Sequence, residues 1–292
     1  MARSPSHKFG QIIGNLLEDI MFPFLDEFCR EADDLYLDHK SKERPARHGR
    51  KKVSWQDKYK NVHDLDFVIE KGGTDYKLGY PIAFIECAWR RYTKHSRNKV
   101  QEIQGALLPL AETYWELGPF MGAILAGVFT NGAIQQLKSQ GFEVLYIPYQ
   151  YIVEAFREQG VNVKFDESTP DEEFAHVISH IEKNKKVLEQ VKHYLTKKLS
   201  KEIDRFMRVL ENRIARAVEK VIIVSLHGET TIFNNIHDAL KFLDQHNQEP
   251  KSNLPFRGYH IIVRFANGDR VEADFESKQR AKEFLAFVGS RG

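Results

Sequence analysis

Carboxylates and cations stand close together in one short stretch of the chain, between residues 64 and 104. The stretch reads DLDFVIEKGGTDYKLGYPIAFIECAWRRYTKHSRNKVQEIQ. Asp66 and Glu86 each lie in an apolar, strand-like run, and a cationic segment then leads into a helical pattern. Carboxylates can hold a divalent metal ion, and cations can hold a phosphate backbone. We therefore expect metal-dependent phosphodiester chemistry on a nucleic acid.

Side-chain alternation narrows this pattern to two carboxylates. Residues two apart on a strand face the same side, so Asp64 shares a face with Asp66, and Glu86 with Ala88 and Arg90. One acid from each of two adjacent strand ends can converge on Mg²⁺, a hard cation that prefers oxygen ligands. The metal would stabilise a charged phosphate and activate a water molecule. The alternative is that Asp64 or Asp66 is a plain solvent-facing strand residue.

Basic residues cluster in two segments, one after Glu86 and one between residues 40 and 52. Either segment could be a solvated surface, or it could contact phosphates beside a metal site. On the second interpretation, the predicted DNA-binding residues are Arg90, Arg91, Lys94, Arg97, Arg50, Lys51 and Lys52.

Length and composition indicate a folded protein. The 292 residues are 42% hydrophobic and 12% aromatic, which is enough for a substantial core, and the net charge of +2 excludes no class of partner. Cys29 and Cys87, both in apolar runs, predict reduced thiols in a reducing compartment. The N-terminal residues lack a signal-peptide pattern, and the apolar run from Met121 to Phe129 is shorter than the roughly 20 residues that span a bilayer. We expect a soluble cytoplasmic protein without a membrane partner.

Hydrophobic periodicity predicts the elements that would position the carboxylates. Apolar residues at helical spacing predict one long helix from Phe9 to Asp38, kinked or divided at Pro23. Because the later strands are joined by helices, part of the sheet is expected to be parallel. The predicted elements that follow the first helix are strands Val53–Tyr59, Leu65–Glu70 and Pro81–Trp89, helix Gln101–Glu116, strand Gly122–Thr130, helix Ala133–Ser139 and strand Phe142–Ile147.

This order of elements resembles the PD-(D/E)XK nuclease superfamily, and within it the type II restriction endonucleases, from about Phe9 to Pro148. That superfamily has an αβββαβ core, with an Asp at the second core strand and a (D/E)-X-K motif on the third. Asp66 and Glu86 match the two acidic positions, and GVFT and VLYIP match the later strands. The resemblance implies an α/β, restriction-endonuclease-like fold with a mixed sheet. It also implies Mg²⁺-dependent cleavage of double-stranded DNA by a homodimer without an organic cofactor.

The sequence departs from the superfamily pattern at two positions. Leu65 stands in place of the proline before Asp66, and Ala88 stands in place of the motif lysine. Site residues of this superfamily can migrate to the following helix, where Lys99 and Glu102 lie three apart on one face. We therefore predict Lys99 as the replacement, with Lys94 as the second candidate.

The resemblance also extends the set of predicted ligands. It implies Glu102 as a migrated acid, so that the predicted catalytic residues are Asp66, Glu86, Lys99, Glu102 and Lys94, and the metal ligands Asp66, Glu86 and Glu102. Glu18 on the first helix is a weaker candidate for a further ligand, since a surface position is the simpler interpretation.

The remaining chain predicts two further regions, which gives residues 1–165 for a nuclease domain, 166–220 for a helical linker or dimerisation region, and 221–292 for a small α+β domain. Two hairpin patterns, each followed by a helix, predict tandem ββα units in the last region.

Three functional hypotheses follow from these patterns. The first is a DNA endonuclease, as a restriction enzyme or as a repair or mobile-element nuclease. The second is a nuclease-fold DNA-binding protein that has lost catalysis, which the missing lysine at Ala88 favours. The third is an interaction protein built around the helices of residues 172–220, which leaves the cationic run unexplained.

Overall fold

A computed structural model describes residues 4–32, 34–92, 96–215, 217–225, 229–246, 256–266 and 268–289. The predicted site residue Lys94 lies outside these ranges. The chain divides into two compact units, Met1–Val209 and Leu210–Gly292. This differs from the three-part division expected from the sequence, because helices after residue 165 pack against earlier helices of the first unit.

The helices of the described residues are numbered in chain order. They are α1 Pro5–Glu31, α2 Ser96–Thr113, α3 Asn131–Ser139, α4 Tyr149–Arg157, α5 Asp171–Lys183, α6 Lys186–Lys198, α7 Ser200–Ile214, α8 Ile236–Gln245 and α9 Lys278–Gly289. Among the described residues, no helix combines the length and the apolar character needed to cross a membrane.

The strands are numbered in the same way. They are β1 Leu35–His39, β2 Val53–Gln56, β3 Val62–Leu65, β4 Phe67–Lys71, β5 Tyr80–Arg90, β6 Phe120–Gly127, β7 Glu143–Pro148, β8 Val218–Ser225, β9 Thr230–Phe233, β10 Tyr259–Phe265 and β11 Arg270–Phe275.

The first unit is built on a mixed, five-stranded sheet with the order β1-β4-β5-β6-β7. β1, β4 and β5 pair antiparallel, whereas β5, β6 and β7 pair parallel across helical connections. Parallel pairs need such crossovers, which α2 and α3 provide. The α/β class and the mixed sheet predicted from the sequence are thereby confirmed.

Helices cover both faces of this sheet. α2 and α3 bury one face together with alternate residues of β4 to β7, among them Val68, Phe84 and Leu125. α1 packs against β1 and β5, α4 packs against β6 and β7, and α5 and α6 pack on these two helices. β5, the strand that carries Glu86, therefore lies between α1 and α2.

The first helix is shorter than predicted. α1 ends at Glu31 instead of Asp38, and Leu35–His39 forms the edge strand β1, which pairs with β4. Leu35 and Leu37 fit a period of two as well as they fit a helix, so the apolar pattern alone did not separate the two structures. Pro23 lies within α1, which continues through it.

The segment before Asp66 also differs from the prediction. β2 pairs with β3 in a separate two-stranded ribbon instead of forming the first strand of the main sheet. The strand predicted from Leu65 is interrupted, because β3 ends at Leu65 and β4 begins at Phe67. Asp66 therefore lies at the bend between ribbon and sheet, and Asp64 belongs to the ribbon.

Asp57 holds the turn of this ribbon. Its carboxylate accepts hydrogen bonds from the backbone N–H groups of Tyr59 and Asn61 and lies 2.9 Å from His63 Nε2. Burial raises the pKa of Asp57, but the hydrogen bonds with His63, Asn61 and Tyr59 outweigh it and lower the pKa to about 2. The turn is therefore built around an ionised carboxylate.

We expect the substitution Asp57→Asn to destabilise the protein at neutral pH and to have little effect in strong acid. A pKa that is depressed in the folded state stabilises the fold above the unfolded value, near pH 4, and this contribution is lost as the pH falls to about 2. Urea unfolding of both proteins between pH 6 and pH 2 measures the difference. A difference that stays constant over this range would contradict an ionised carboxylate in the turn.

The second unit contains a four-stranded antiparallel sheet with the order β11-β10-β8-β9. Its elements follow as β8, β9 and α8 and then β10, β11 and α9, so that two ββα units occur in tandem. α8 and α9 share one buried cluster with the inward residues of the sheet, such as Val221, Ile223 and Ile261.

Candidate active site

Asp66, directly before β4, lies beside Glu86 on the neighbouring strand β5. Phe67 pairs with Ile85 in the antiparallel register of β4 and β5, which puts Asp66 and Glu86, the residues adjoining this pair, next to each other. The backbone N–H of Cys87 donates a hydrogen bond to Asp66 Oδ2 at 2.7 Å. This bond fixes the Asp66 carboxylate against the strand that carries Glu86.

Glu86 is a buried acid with an unsatisfied oxygen. Its exposed fraction is 9%, and within the described part of the chain its Oε1 has no hydrogen-bond partner. Burial and the negative charge of Asp66 raise the pKa of Glu86 well above its ordinary value, against the opposing charge of Lys99. A buried ionised carboxylate without a partner is costly, so this position requires a proton or a cation.

Opposing effects also act on the pKa of Asp66. Burial raises its pKa, and the charge of Glu18 raises it further. The N–H of Cys87 and the charges of Lys40 and Lys99 act in the opposite direction. The negative charges of Asp66, Glu86 and Glu18 thus act on one another. The positive charges of Lys40, which follows β1, and of Lys99, on α2, oppose them.

Glu18 belongs to the site, and sequence reasoning gave it little weight. It is buried on α1, where its Oε1 accepts a hydrogen bond from Lys40 Nζ at 2.5 Å and its Oε2 lies 2.8 Å from His39 Nε2. The His39 ring stacks on Phe67, the residue after Asp66, with centroids 4.6 Å apart. Lys40 and His39 hold the Glu18 carboxylate, whose negative charge raises the pKa of both Asp66 and Glu86.

Sequence reasoning missed His39 and Lys40 because it placed them at and beyond the end of the first helix. The alternation of apolar residues in Leu35–His39 was the available signal. Had this segment been assigned as a strand paired with β4, its last residues would have been expected next to the first residues of β4.

Lys99 approaches the pair from α2. Its charge lowers the pKa of both Glu86 and Asp66, and its side chain is 22% exposed. Ala88, where the motif lysine was expected, is buried in the cluster that contains Val100 of α2. The helix that packs on Ala88 is thus the one that contains Lys99.

Glu102 lies farther out than predicted for a metal ligand. Its side chain is 57% exposed, and its Oε2 lies 3.2 Å from Lys99 Nζ and 3.5 Å from Arg90 Nη2. Among the residues that the structure describes, no three His, Cys, Asp or Glu side chains form a group ready to hold a metal. Glu102 is thus an ion-pair partner of Lys99 and Arg90 in this state.

The cations predicted to bind DNA fall into different environments. Arg97, Arg50 and Lys51 are exposed. Arg91 is half-buried, with its guanidinium 4.4 Å from the ring centroids of Tyr92 and Phe174. Arg90 pairs with Glu102, and Lys52 pairs with Asp64 at 2.5 Å.

The basic segment from residue 40 to 52 is partly structural. Arg44 and Arg47 are buried, and they bind the buried carboxylates of Asp38 and Glu70. These two arginines anchor the segment, whereas Arg50 and Lys51 remain on its surface.

The residues present fit a hard divalent cation. The donors at the pair are carboxylate oxygens, one of them buried and without a partner among the described residues, and Mg²⁺ in proteins is held by one or two carboxylates together with water. Two protein ligands are therefore sufficient for this ion. The arrangement can hold a metal between two acids, and the positive charges of Lys99 and Lys40 lower the pKa of Asp66.

Comparison with known proteins adds little to the geometry. No family model matches the chain, and no curated protein is significantly similar to it. A match among solved structures is the crystal structure of "Protein of Unknown Function AF1548", which is 12% identical. The match covers 67% of this chain and 98% of that one, with a TM-score of 0.29. A likeness at this level supports no conclusion about fold or function.

Proposed function

We propose that the chain is a Mg²⁺-dependent DNA endonuclease that hydrolyses phosphodiester bonds in double-stranded DNA, as a type II restriction endonuclease does. One observation carries the proposal: the buried Oε1 of Glu86, which has no hydrogen-bond partner among the described residues, lies on a central strand of a mixed sheet, where the charges of Asp66 and Lys99 both act on Glu86. The element order supports it, because α1, β1, β4, β5, α2 and β6 repeat the αβββαβ order of the PD-(D/E)XK core. The first core strand in this comparison is β1.

Each site residue has a distinct role in this proposal. Asp66 and Glu86 hold the metal ion, and Glu18 adds negative charge that strengthens their hold. When bound, Mg²⁺ supplies positive charge for the phosphate and lowers the pKa of a water molecule. Lys99 places its ammonium beside the scissile phosphate, where it offsets the charge that develops during hydrolysis.

Cleavage of supercoiled plasmid and phage DNA tests the proposal. We expect nicking and linearisation with Mg²⁺, none with EDTA, and discrete phage DNA fragments if cleavage is sequence-specific. Asp66→Ala should remove the activity while the protein still binds DNA. Tight DNA binding without cleavage under any divalent metal would overturn the proposal.

Lys99→Ala should lower the cleavage rate at saturating DNA on the order of 100-fold, because electrostatic groups at a reacting phosphate contribute at about this level. Glu102→Ala is the matched control on the same helix, and we expect an effect of less than fivefold, in keeping with the exposed ion pairs of Glu102. Single-turnover kinetics of the two variants measure the difference. Equal rates for Lys99→Ala and the unmodified protein would remove Lys99 from the site.

A DNA-binding protein without catalysis is the second candidate. The observation that favours it is Ala88, since this position carries the lysine in the superfamily that the chain resembles. The two candidates differ in one result: Lys99→Ala changes a rate if the enzyme is active, and it changes only affinity if catalysis has been lost.

A further inference from the structure

The sheet of the second unit has one covered face and one open face. Residues that point to the covered face share a buried cluster with α8 and α9. The alternate residues point to the open face. Three of them, at one end of the sheet, are exposed: Lys220 on β8, Arg264 on β10 and Arg270 on β11. No described helix packs on this open face within the second unit.

These three cations form one row across three strands. Arg264 pairs in register with Lys220 on one side and with Arg270 on the other. Like charges directly opposite each other destabilise a sheet. Within the described residues, Lys220 and Arg264 have no ion-pair partner that would relieve the repulsion, and Arg270 has only Glu272 at 3.7 Å. The row therefore lowers stability without an anion to neutralise it.

An apolar row runs beside the cationic row. Ile222 pairs in register with Ile262 and with Ile232, and Ile232 is 59% exposed. The acids of this face lie on the edge strand β11, where Asp274 Oδ1 is 2.7 Å from His260 Nδ1. The three cations thus lie in one row across β8, β10 and β11, and the acids lie along the edge strand β11.

We propose that the open face of the second unit, defined by Lys220, Arg264 and Arg270 with Ile222 and Ile262, binds the phosphate backbone of DNA. Adjacent strands are about 4.8 Å apart, so the row extends over about 10 Å, along which duplex DNA presents several phosphates. The apolar row can pack against the sugars between those phosphates. This surface is separate from the carboxylate pair and uses none of its chemistry.

Binding of the full chain to a fluorescein-labelled 30-base-pair duplex in EDTA tests the proposal, because no cleavage occurs under these conditions. Lys220→Glu with Arg264→Glu should weaken binding about tenfold or more at 0.1 M salt. The slope of log affinity against log salt concentration should fall by about 2, since each lost phosphate contact changes it by about 0.9. The matched control is Lys241→Glu with Arg280→Glu, two exposed cations on α8 and α9, which should change both quantities much less.

Three results would overturn the proposal. One is equal weakening by the two double variants, since this would reflect net charge alone. Another is unchanged affinity for Lys220→Glu with Arg264→Glu. The third is a change of oligomeric state, by light scattering, in Ile222→Asp without a change in DNA affinity, because the face would then join two copies of the chain.

Two controls keep the test decisive. If the glutamate variant does not give the circular dichroism spectrum of the unmodified protein, Lys220→Gln with Arg264→Gln replaces it, and the same slope change is expected. Cleavage by the double variant at saturating DNA separates this proposal from the nuclease proposal, since only loss of binding is expected here.

Discussion

The substitution Glu86→Gln should abolish Mg²⁺-dependent cleavage and also stabilise the metal-free protein. Cleavage should fall on the order of 1000-fold, because the amide carries no charge to hold the metal. The free energy of unfolding in EDTA should rise by about 1–2 kcal/mol, because Gln removes a negative charge that burial and the neighbouring Asp66 disfavour. Mg²⁺ should raise the melting temperature of the unmodified protein and leave that of the variant unchanged.

Glu102→Gln is the matched control for this prediction. It replaces an exposed acid on α2 that pairs with Lys99 and Arg90, so its effect on the metal-free stability should be within about 0.5 kcal/mol. Urea unfolding in EDTA, thermal melts with and without Mg²⁺, and plasmid cleavage together decide the matter. A loss of stability in Glu86→Gln without metal would mean that its carboxylate is satisfied in the fold, and the metal pair would lose its main support.

The substitution Arg44→Ala should cost about 3–5 kcal/mol of stability, the largest effect that we expect from any cation of this chain. The Arg44 side chain is fully buried, and it donates to Glu70 Oε1 and Oε2 at 2.5 and 3.0 Å and to Asp38 Oδ2 at 2.9 Å. It also binds the carbonyl oxygens of Thr74 and Lys77. Without the guanidinium, two buried carboxylates and two carbonyl groups lose a partner.

Arg50→Ala provides the comparison within the same basic segment. Arg50 is exposed, so we expect no measurable change in the free energy of unfolding and a reduced affinity for DNA. Urea denaturation and gel shifts at low salt measure the two properties on both variants. If Arg44→Ala unfolds at the same urea concentration as the unmodified protein, the buried network does not stabilise the fold.

The elements that carry long apolar runs could be predicted from the sequence. β6 is buried at every position from Phe120 to Gly127, and a continuous apolar run between turn residues is typical of such a strand. Glu86 could be predicted as a buried strand residue because apolar residues flank it on both sides, and among the described residues its Oε1 has no hydrogen-bond partner.

The parts of the site that depend on distant partners could not be predicted. Glu18 is brought to Asp66 by the packing of α1 on the sheet and by contacts with His39 and Lys40, 21 and 22 residues further along the chain. Arg44 and Arg50 look alike in a basic segment, and only the fold pairs one of them with Glu70. Local periodicity carries no information on such contacts, since it indicates which face of an element is buried and not which distant residues pack against that face.

The positions of Ala88 and Lys99 have a consequence for evolution. Ala88 is only 2% exposed under the helix that carries Lys99, so a long side chain at position 88 would have to displace residues of that helix. Relatives that carry lysine at the position of Lys99 should therefore carry a small residue at the position of Ala88. Relatives that carry lysine at the position of Ala88 should have another residue at the position of Lys99. We expect such relatives to share a glutamate followed thirteen residues later by lysine, as Glu86 is followed by Lys99.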